Sequence, residues 1–227
     1  MNHRWIICYD FETDSPDPLT ANPVELAAVA INPRTLEIKT DDVFKVTIKP
    51  PQIEKDEYFT DGVQKTIEWH AKTRACATED IVSLWKNGLN QKIAIKNFMS
   101  FVSKYNIEKD VAKKIYYTEP LYTGYNVDAF DDIIMKRLCD EHKLKYPFAK
   151  AGNIDLIHII NYWFENLPEP DNRKLDTVKA FLGLESYGQA HEALSDVLDT
   201  AKIFVRFLKF SRKQSTVAKF KDSFKSQ

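Results

Sequence analysis

Hydrophobic and polar positions follow two different periods along the chain. Arg4 to Glu12 (RWIICYDFE), Val24 to Ile31 (VELAAVAI) and Val43 to Ile48 (VFKVTI) are rich in β-branched and aromatic residues and are separated by Pro, Asn and Asp clusters. That composition predicts three strands in an antiparallel meander. Helical spacing takes over at Thr78, which can cap a helix with Glu79 and Asp80 in its first turn and Gly88 at its end. A second helix follows through Ala94, Phe98, Phe101, Val102 and Tyr105, apolar at three- and four-residue steps. Ile115 to Thr123 (IYYTEPLYT) predicts a further strand, interrupted at Pro120. Asp128 to His142 is then helical, a short strand is expected near Ile154, and Leu156 to Phe164, Leu175 to Leu182 and Ala193 to Lys209 complete the helices. A meander followed by alternating strands and helices implies an α/β mixed sheet with helices packed on it, rather than an all-parallel sheet.

Composition narrows the setting. The 227 residues are 44% hydrophobic and 29% charged, enough to bury a core without disulfides. Cys8, Cys76 and Cys139 lie far apart and form no C-x-x-C pair, which argues against a disulfide framework and a zinc knuckle. The early apolar run, Trp5 to Tyr9, is too short for a signal peptide or a membrane span. The expectation is a cytoplasmic protein that does not engage a membrane. Lys plus Arg (32) nearly balance Asp plus Glu (33), so net charge points to no particular partner. The balance is uneven, however: Ser211 to Gln227 holds Arg212, Lys213, Lys219, Lys221 and Lys225 against Asp222 alone. The expected organisation is one domain over 1–210 and a basic tail over 211–227. Such a tail suits a solvated terminus, and equally a grip on a polyanionic strand.

Three acidic clusters carry the candidate chemistry. Asp10 and Glu12 stand two residues apart at the end of the first strand, so the pleat turns both carboxylates to one side. Neighbouring anions raise each other's pKa unless a cation or shared proton compensates, and oxygen-only ligands favour hard divalent cations. Such a pair also occurs as an ordinary solvated turn. The second cluster is Tyr122 to Met135 (YTGYNVDAFDDIIM), where a strand stops at Gly124 and a helix starts near Asp128. Capping and the helix dipole account for acids there in general. The third is His191 to Asp196 (HEALSD), which opens the last long helix. Five residues turn about 140° around a helix, so His191 must sit on the loop or first turn if both side chains are to reach one site. A histidine there is suited to take a proton from water.

In order and spacing these clusters resemble the motifs of the DnaQ-like 3′-to-5′ exonucleases, in the subgroup whose last motif carries histidine. The matching residues are Asp10-Phe-Glu12-Thr13, Asn126 with Phe130-Asp131, and His191-x-Ala193-x-x-Asp196. Gly124 to Asp132 and Ile154-Asp-Leu156 look closest to exonuclease I. Thr66-Ile-Glu-Trp69 looks like phage exonucleases, although their second tryptophan is His70 here.

The resemblance implies a ribonuclease H-like α/β domain with a five-stranded mixed sheet and helices on both faces. It further implies a site of Asp10, Glu12, Asp131, His191 and Asp196 holding two Mg²⁺ or Mn²⁺ ions roughly 4 Å apart. Asp10 would bridge both ions, Glu12 and Asp196 would complete the first, Asp131 would support the second, and His191 would be the general base. By chemistry alone Asp128, Asp132 and Asp199 rival Asp131 and Asp196. Main-chain groups around Phe11 and Thr13 are expected to grip the terminal nucleotide, and Asn126 to order the second motif. Trp69 is expected to stack on a base or to serve as a core aromatic; His3, His70, His142 and His158 match no motif. The implied partner is single-stranded nucleic acid with a free 3′ end, DNA first and short RNA close behind; the oligomeric state is left open. The rival from another class is a nucleic-acid-binding module without turnover, which would be expected to have lost a metal ligand.

Overall fold

The computed structural model describes residues 4–111, 114–185 and 192–218. Three long strands open the chain: β1 (Ile6–Thr13), β2 (Pro23–Ile31) and β3 (Ile38–Lys49). They pair antiparallel in sequence order, as the meander predicts. Then come α1 (Asp61–Thr73), α2 (Thr78–Lys86), β4 (Leu89–Asn90) and α3 (Gln91–Ser103). A hairpin of β5 (Ile107–Val111) and β6 (Lys114–Thr118) precedes β7 (Leu121–Gly124), α4 (Asp131–His142) and β8 (Ile154–Asp155). The chain closes on α5 (Leu156–Trp163), α6 (Leu175–Phe181) and α7 (Ala193–Ala218).

The main sheet runs β4-β3-β2-β1-β7-β8, with β7 parallel to β1 and β8 parallel to β7. The expected mixed, ribonuclease H-like sheet is therefore present, with six strands instead of five. The additional strand, β4, is two residues that pair parallel with the end of β3, too short to leave a periodic pattern. Alternation along β1 sorts its side chains between two cores. Ile7, Tyr9 and Phe11 pack with Phe98 and Phe101 of α3 and with Ile134 and Leu138 of α4. Ile6 and Cys8 pack on the opposite face with Leu156, Ile160, Val178, Val197 and Phe204. Each large apolar side chain so buried contributes about 1.5–3 kcal/mol, which places helices on both faces.

Two expectations are corrected. Ile115 to Thr123 is not one strand: it divides at Glu119-Pro120, and β6 and β7 belong to different sheets. Pro120 lacks the N–H a ladder needs. The segment carrying Trp69 is helix α1, absent from the sequence reading. Its buried face is Ile67, His70 and Ala71, so a histidine occupies a position where the pattern would show an apolar residue. Helix α7 also continues past Lys209 to Ala218, and the Arg212 guanidinium donates to the carbonyls of Pro33 and Arg34. Among the described residues no helix is long and apolar enough to cross a membrane.

Candidate active site

The centre of the site follows from strand lengths. β1 pairs with β7 only over Ile6 to Cys8, so Asp10 to Thr13 run past the end of β7. Beyond that end the Phe11 N–H donates to the Asp131 carboxylate at 2.8 Å instead of to a strand. Asp131 is the first residue of α4 and is buried. The turn leading into it is tight: a Cβ on Gly124 would lie 2.7 Å from the Val127 Cβ and 3.0 Å from the Tyr9 carbonyl oxygen, so glycine is required there. Asn126 adopts φ 59°, a left-handed conformation that asparagine tolerates.

Asp10 and Glu12 are half-buried on the Cys8 face of β1, as the pleat predicts. Helix α7 crosses that face, where the Cys8 thiol donates to the Val197 carbonyl at 3.5 Å. Asp196, in the first turn of α7, is thereby brought beside them. Burial pushes the Asp10 carboxyl well above its usual range, and the charges of Asp131, Glu12, Asp196 and Glu25 push it further. Glu12 is raised by burial, then by Asp196 and Glu25, against an opposing effect from Arg74. Asp131 is pushed up to about 8 by burial, even though the Phe11 N–H favours its charged form. Among the described residues no donor hydrogen-bonds the Asp10 or Glu12 carboxylate. Four carboxylates from three separate elements thus share one field, and a divalent cation relieves such a cluster.

Of the predicted residues, Asp10, Glu12, Asp131 and Asp196 are brought together. His191 lies outside the described residues. Phe11, Thr13 and Trp69 line, with Glu12 and Phe130, a cleft of about 520 Å³ between the end of β1 and α1. The main chain of this segment is already engaged, since the Phe11 N–H serves Asp131 and the Thr13 carbonyl oxygen lies 3.3 Å from His70 Nε2. The Asn126 side chain is exposed, and its N–H donates to Asp155 at 2.9 Å.

The rival acids have structural partners. Asp132 is buried beneath the Tyr122 and Tyr146 hydroxyls and the Lys136 ammonium. Asp199 is buried against Lys179 at 2.9 Å. Asp128 is exposed and accepts from the Tyr122 hydroxyl.

Two residues went unrecognised as participants. Asp155 accepts the N–H groups of Asn126, Asp128 and Ile157, and so ties β8 to the loop that presents Asp131. Glu25 sits opposite Glu12 in the β1–β2 register, buried, with Arg74 at 2.5 Å. A lone glutamate in the apolar run VELAAVAI was the available signal, because a buried charge needs a partner.

Among the described residues, one group of three potential metal donors converges within 4.8 Å: Asp128, Asp155 and His158. It overlaps none of the four clustered carboxylates. Both oxygens of Asp155 already serve main-chain donors, and Asp128 and His158 are exposed, so this group reads as loop architecture. Ligands shared between two ions about 4 Å apart need not converge on one point.

No protein-family model matches the chain, and a search of curated proteins finds no match. Solved structures do match. Escherichia coli exonuclease I in complex with a dT13 oligonucleotide superposes with a TM-score of 0.66 at 16% identity, over 96% of this chain and 43% of that one. A moderately thermophilic exonuclease I from Methylocaldum szegediense gives 0.65 at 18% identity, over 89% and 40%. Cell-death related nuclease 4 gives 0.63 at 15% identity, over 91% and 64%. The chain therefore spans less than two thirds of the length of each of these proteins. Its mixed α/β fold is nonetheless the one shared by exonuclease I and cell-death related nuclease 4.

Proposed function

We propose that this chain is a divalent-metal-dependent 3′-to-5′ exonuclease that releases nucleoside 5′-monophosphates from single-stranded DNA. The supporting observation is the convergence of Asp10, Glu12, Asp131 and Asp196, from β1, α4 and α7, on one buried field beside an open cleft. The set is oxygen-only and its members destabilise one another's charged forms, so it fits Mg²⁺ or Mn²⁺. When bound, two such ions supply Lewis-acid polarisation of the phosphodiester and charge compensation for the departing 3′ oxygen.

The remaining work belongs to the chain. Asp131, fixed by the Phe11 N–H, and Asp10, fixed by strand pairing, hold a constant spacing between the second motif and the first. The Arg74–Glu25 pair removes a fifth negative charge that would otherwise face Glu12 across the β1–β2 pair. Trp69 and Phe130, which both line the cleft, are assigned the terminal base, a contact worth about 1–3 kcal/mol per stacked base. His191, which precedes Glu192 in the sequence, is assigned the proton of the attacking water.

Digestion of 5′-labelled single-stranded DNA, and of RNA of the same sequence, with Mg²⁺, Mn²⁺ or EDTA tests this reading. Metal-dependent shortening from the 3′ end supports it, and tight binding without cleavage under any metal supports a binding module instead. Asp131→Ala should abolish turnover while the protein still folds. Full activity in Asp131→Ala with loss in Asp128→Ala would move the site to Asp128.

A further inference from the structure

A second surface lies along α5 and the far half of α7. Both helices start near the carboxylates: α5 springs from Asp155, and α7 carries Asp196 in its first turn. They run away from the site together and enclose a groove lined by His158, Ile159, Tyr162 and Trp163 on one side and Ser211 and Gln214 on the other. The groove's near end is tied to the loop before Asp131, because His158 Nε2 lies 3.9 Å from an Asp128 oxygen. At its far end stands a ladder of aromatic rings. Tyr162 meets Trp163 edge-on at 5.7 Å between ring centres, and Trp163 meets Phe210 at 4.9 Å. Tyr162 is 77% exposed although it already has a ring partner.

The charge that α7 itself carries beside the ladder is of one sign. Between Asp199 and Asp222 the chain contains no acid, and Lys202, Arg206, Lys209 and Lys213 recur at steps of four, three and four, which puts them on one face of α7. Arg206, Lys209 and Lys213 are exposed and have no ion-pair partner among the described residues. On the helix, Phe210 falls between this stripe and the groove. A strip of cations flanking a ladder of ring faces matches a single-stranded polynucleotide, with phosphates on one side and unpaired bases on the other.

We propose that the α5–α7 groove is a second single-stranded nucleic-acid site, which holds the strand upstream of the 3′ end by stacking on Tyr162 and Phe210 and by phosphate contacts to Arg206, Lys209 and Lys213. The proposal rests on the nuclease reading for its polarity, though not for the binding itself. At about 1.5 Å per helical residue, Phe210 lies roughly 21 Å along α7 from Asp196. A dinucleotide in the carboxylate site, at roughly 3.4 Å per nucleotide when stacked, does not reach it.

The test compares a dT dinucleotide with a dT oligomer of about 15 nucleotides on two variants, Tyr162→Ala/Phe210→Ala and Arg206→Glu/Lys209→Glu/Lys213→Glu. Fluorescence anisotropy of the labelled long oligomer in EDTA reads binding without turnover. The expected result is an affinity at least about 10-fold weaker in each variant, with a shallower salt dependence in the charge variant, while kcat/KM for the dinucleotide stays unchanged. Unchanged affinity for the long oligomer overturns the proposal. So does loss of self-association in these variants, read by sedimentation, with oligomer binding intact, which would assign the groove to a second copy of the chain. If the wild-type protein binds the long oligomer through this groove but cuts nothing, the groove stands and the exonuclease reading falls. Circular dichroism and melting of each variant separate loss of the surface from loss of the fold.

Discussion

Asp131 and Asp132 are neighbours in sequence, both are buried, and their carboxylates live in opposite circumstances. Asp132 is enclosed by two tyrosyl hydroxyls and an ammonium, a set of protein donors that suits a carboxylate. Asp131 has main-chain donors and is otherwise surrounded by the negative charge of its surroundings, and it is pushed up to about 8. The same contrast separates Asp155, whose oxygens accept three main-chain N–H groups, from Asp10 and Glu12, to which no donor among the described residues is hydrogen-bonded. Acids whose charge the protein satisfies build the loop, and acids whose charge it leaves uncompensated make up the proposed site. Burial and acidity are common to both sets, so neither property alone identifies a site.

Substitution separates the two sets most sharply. Asp10→Asn is expected to cut metal-dependent turnover by about 10³-fold or more, roughly 4 kcal/mol of transition-state stabilisation, while the metal-free melting temperature holds or rises. An Asp10→Asn protein that loses its fold and regains activity on stabilisation would break the comparison. Asp155→Ala is expected to do the reverse in kind: it strands main-chain donors and should cost about 2–3 kcal/mol in urea unfolding. Activity should fall only as the loop before Asp131 loosens.

Proton linkage gives a smaller but independent signature. The raised groups bind protons in the folded state at pH values where the unfolded chain has already lost them. Stability of the metal-free protein should therefore be greatest near and below the ordinary carboxylate range and fall as pH rises toward about 8, the value for Asp131. Melting in EDTA at about pH 5.5 and about pH 8 should show a drop of several degrees, given about 2–4 °C per kcal/mol for a chain of this size. Mg²⁺ should raise the melting temperature more at the higher pH. An equal Mg²⁺ effect at both would remove these carboxylates as the binding groups. The smallest effect is expected at Lys136, an exposed partner of Asp132: Lys136→Ala should change stability by less than about 0.5 kcal/mol, because the two tyrosyl hydroxyls remain.

Local pattern made much of this legible. Strand β1 and its paired acids follow from alternation, and α3, α5 and α7 from three- and four-residue spacing. Motif order separated Asp131 from Asp128 and Asp132, a choice that helix-cap chemistry leaves open. What escaped has physical reasons. Helix α1 was hidden because its inward face includes His70, whose burial depends on the Thr13 carbonyl and Trp85, far away in sequence. The Arg74–Glu25 pair joins residues of α1's end and β2, and neither position predicts the other.

The sequence by itself determined the meander, most of the helices, the acids at strand and helix ends and the spacing of the motifs, because periodicity and turn chemistry act over a few residues. Tertiary structure alone decided which acids share a field, that β7 stops short so that Asp131 takes the Phe11 N–H, and that α5 and α7 lie side by side. Those outcomes depend on burial and on donors supplied by distant segments, and desolvation has no signature until the chain has closed around the charge.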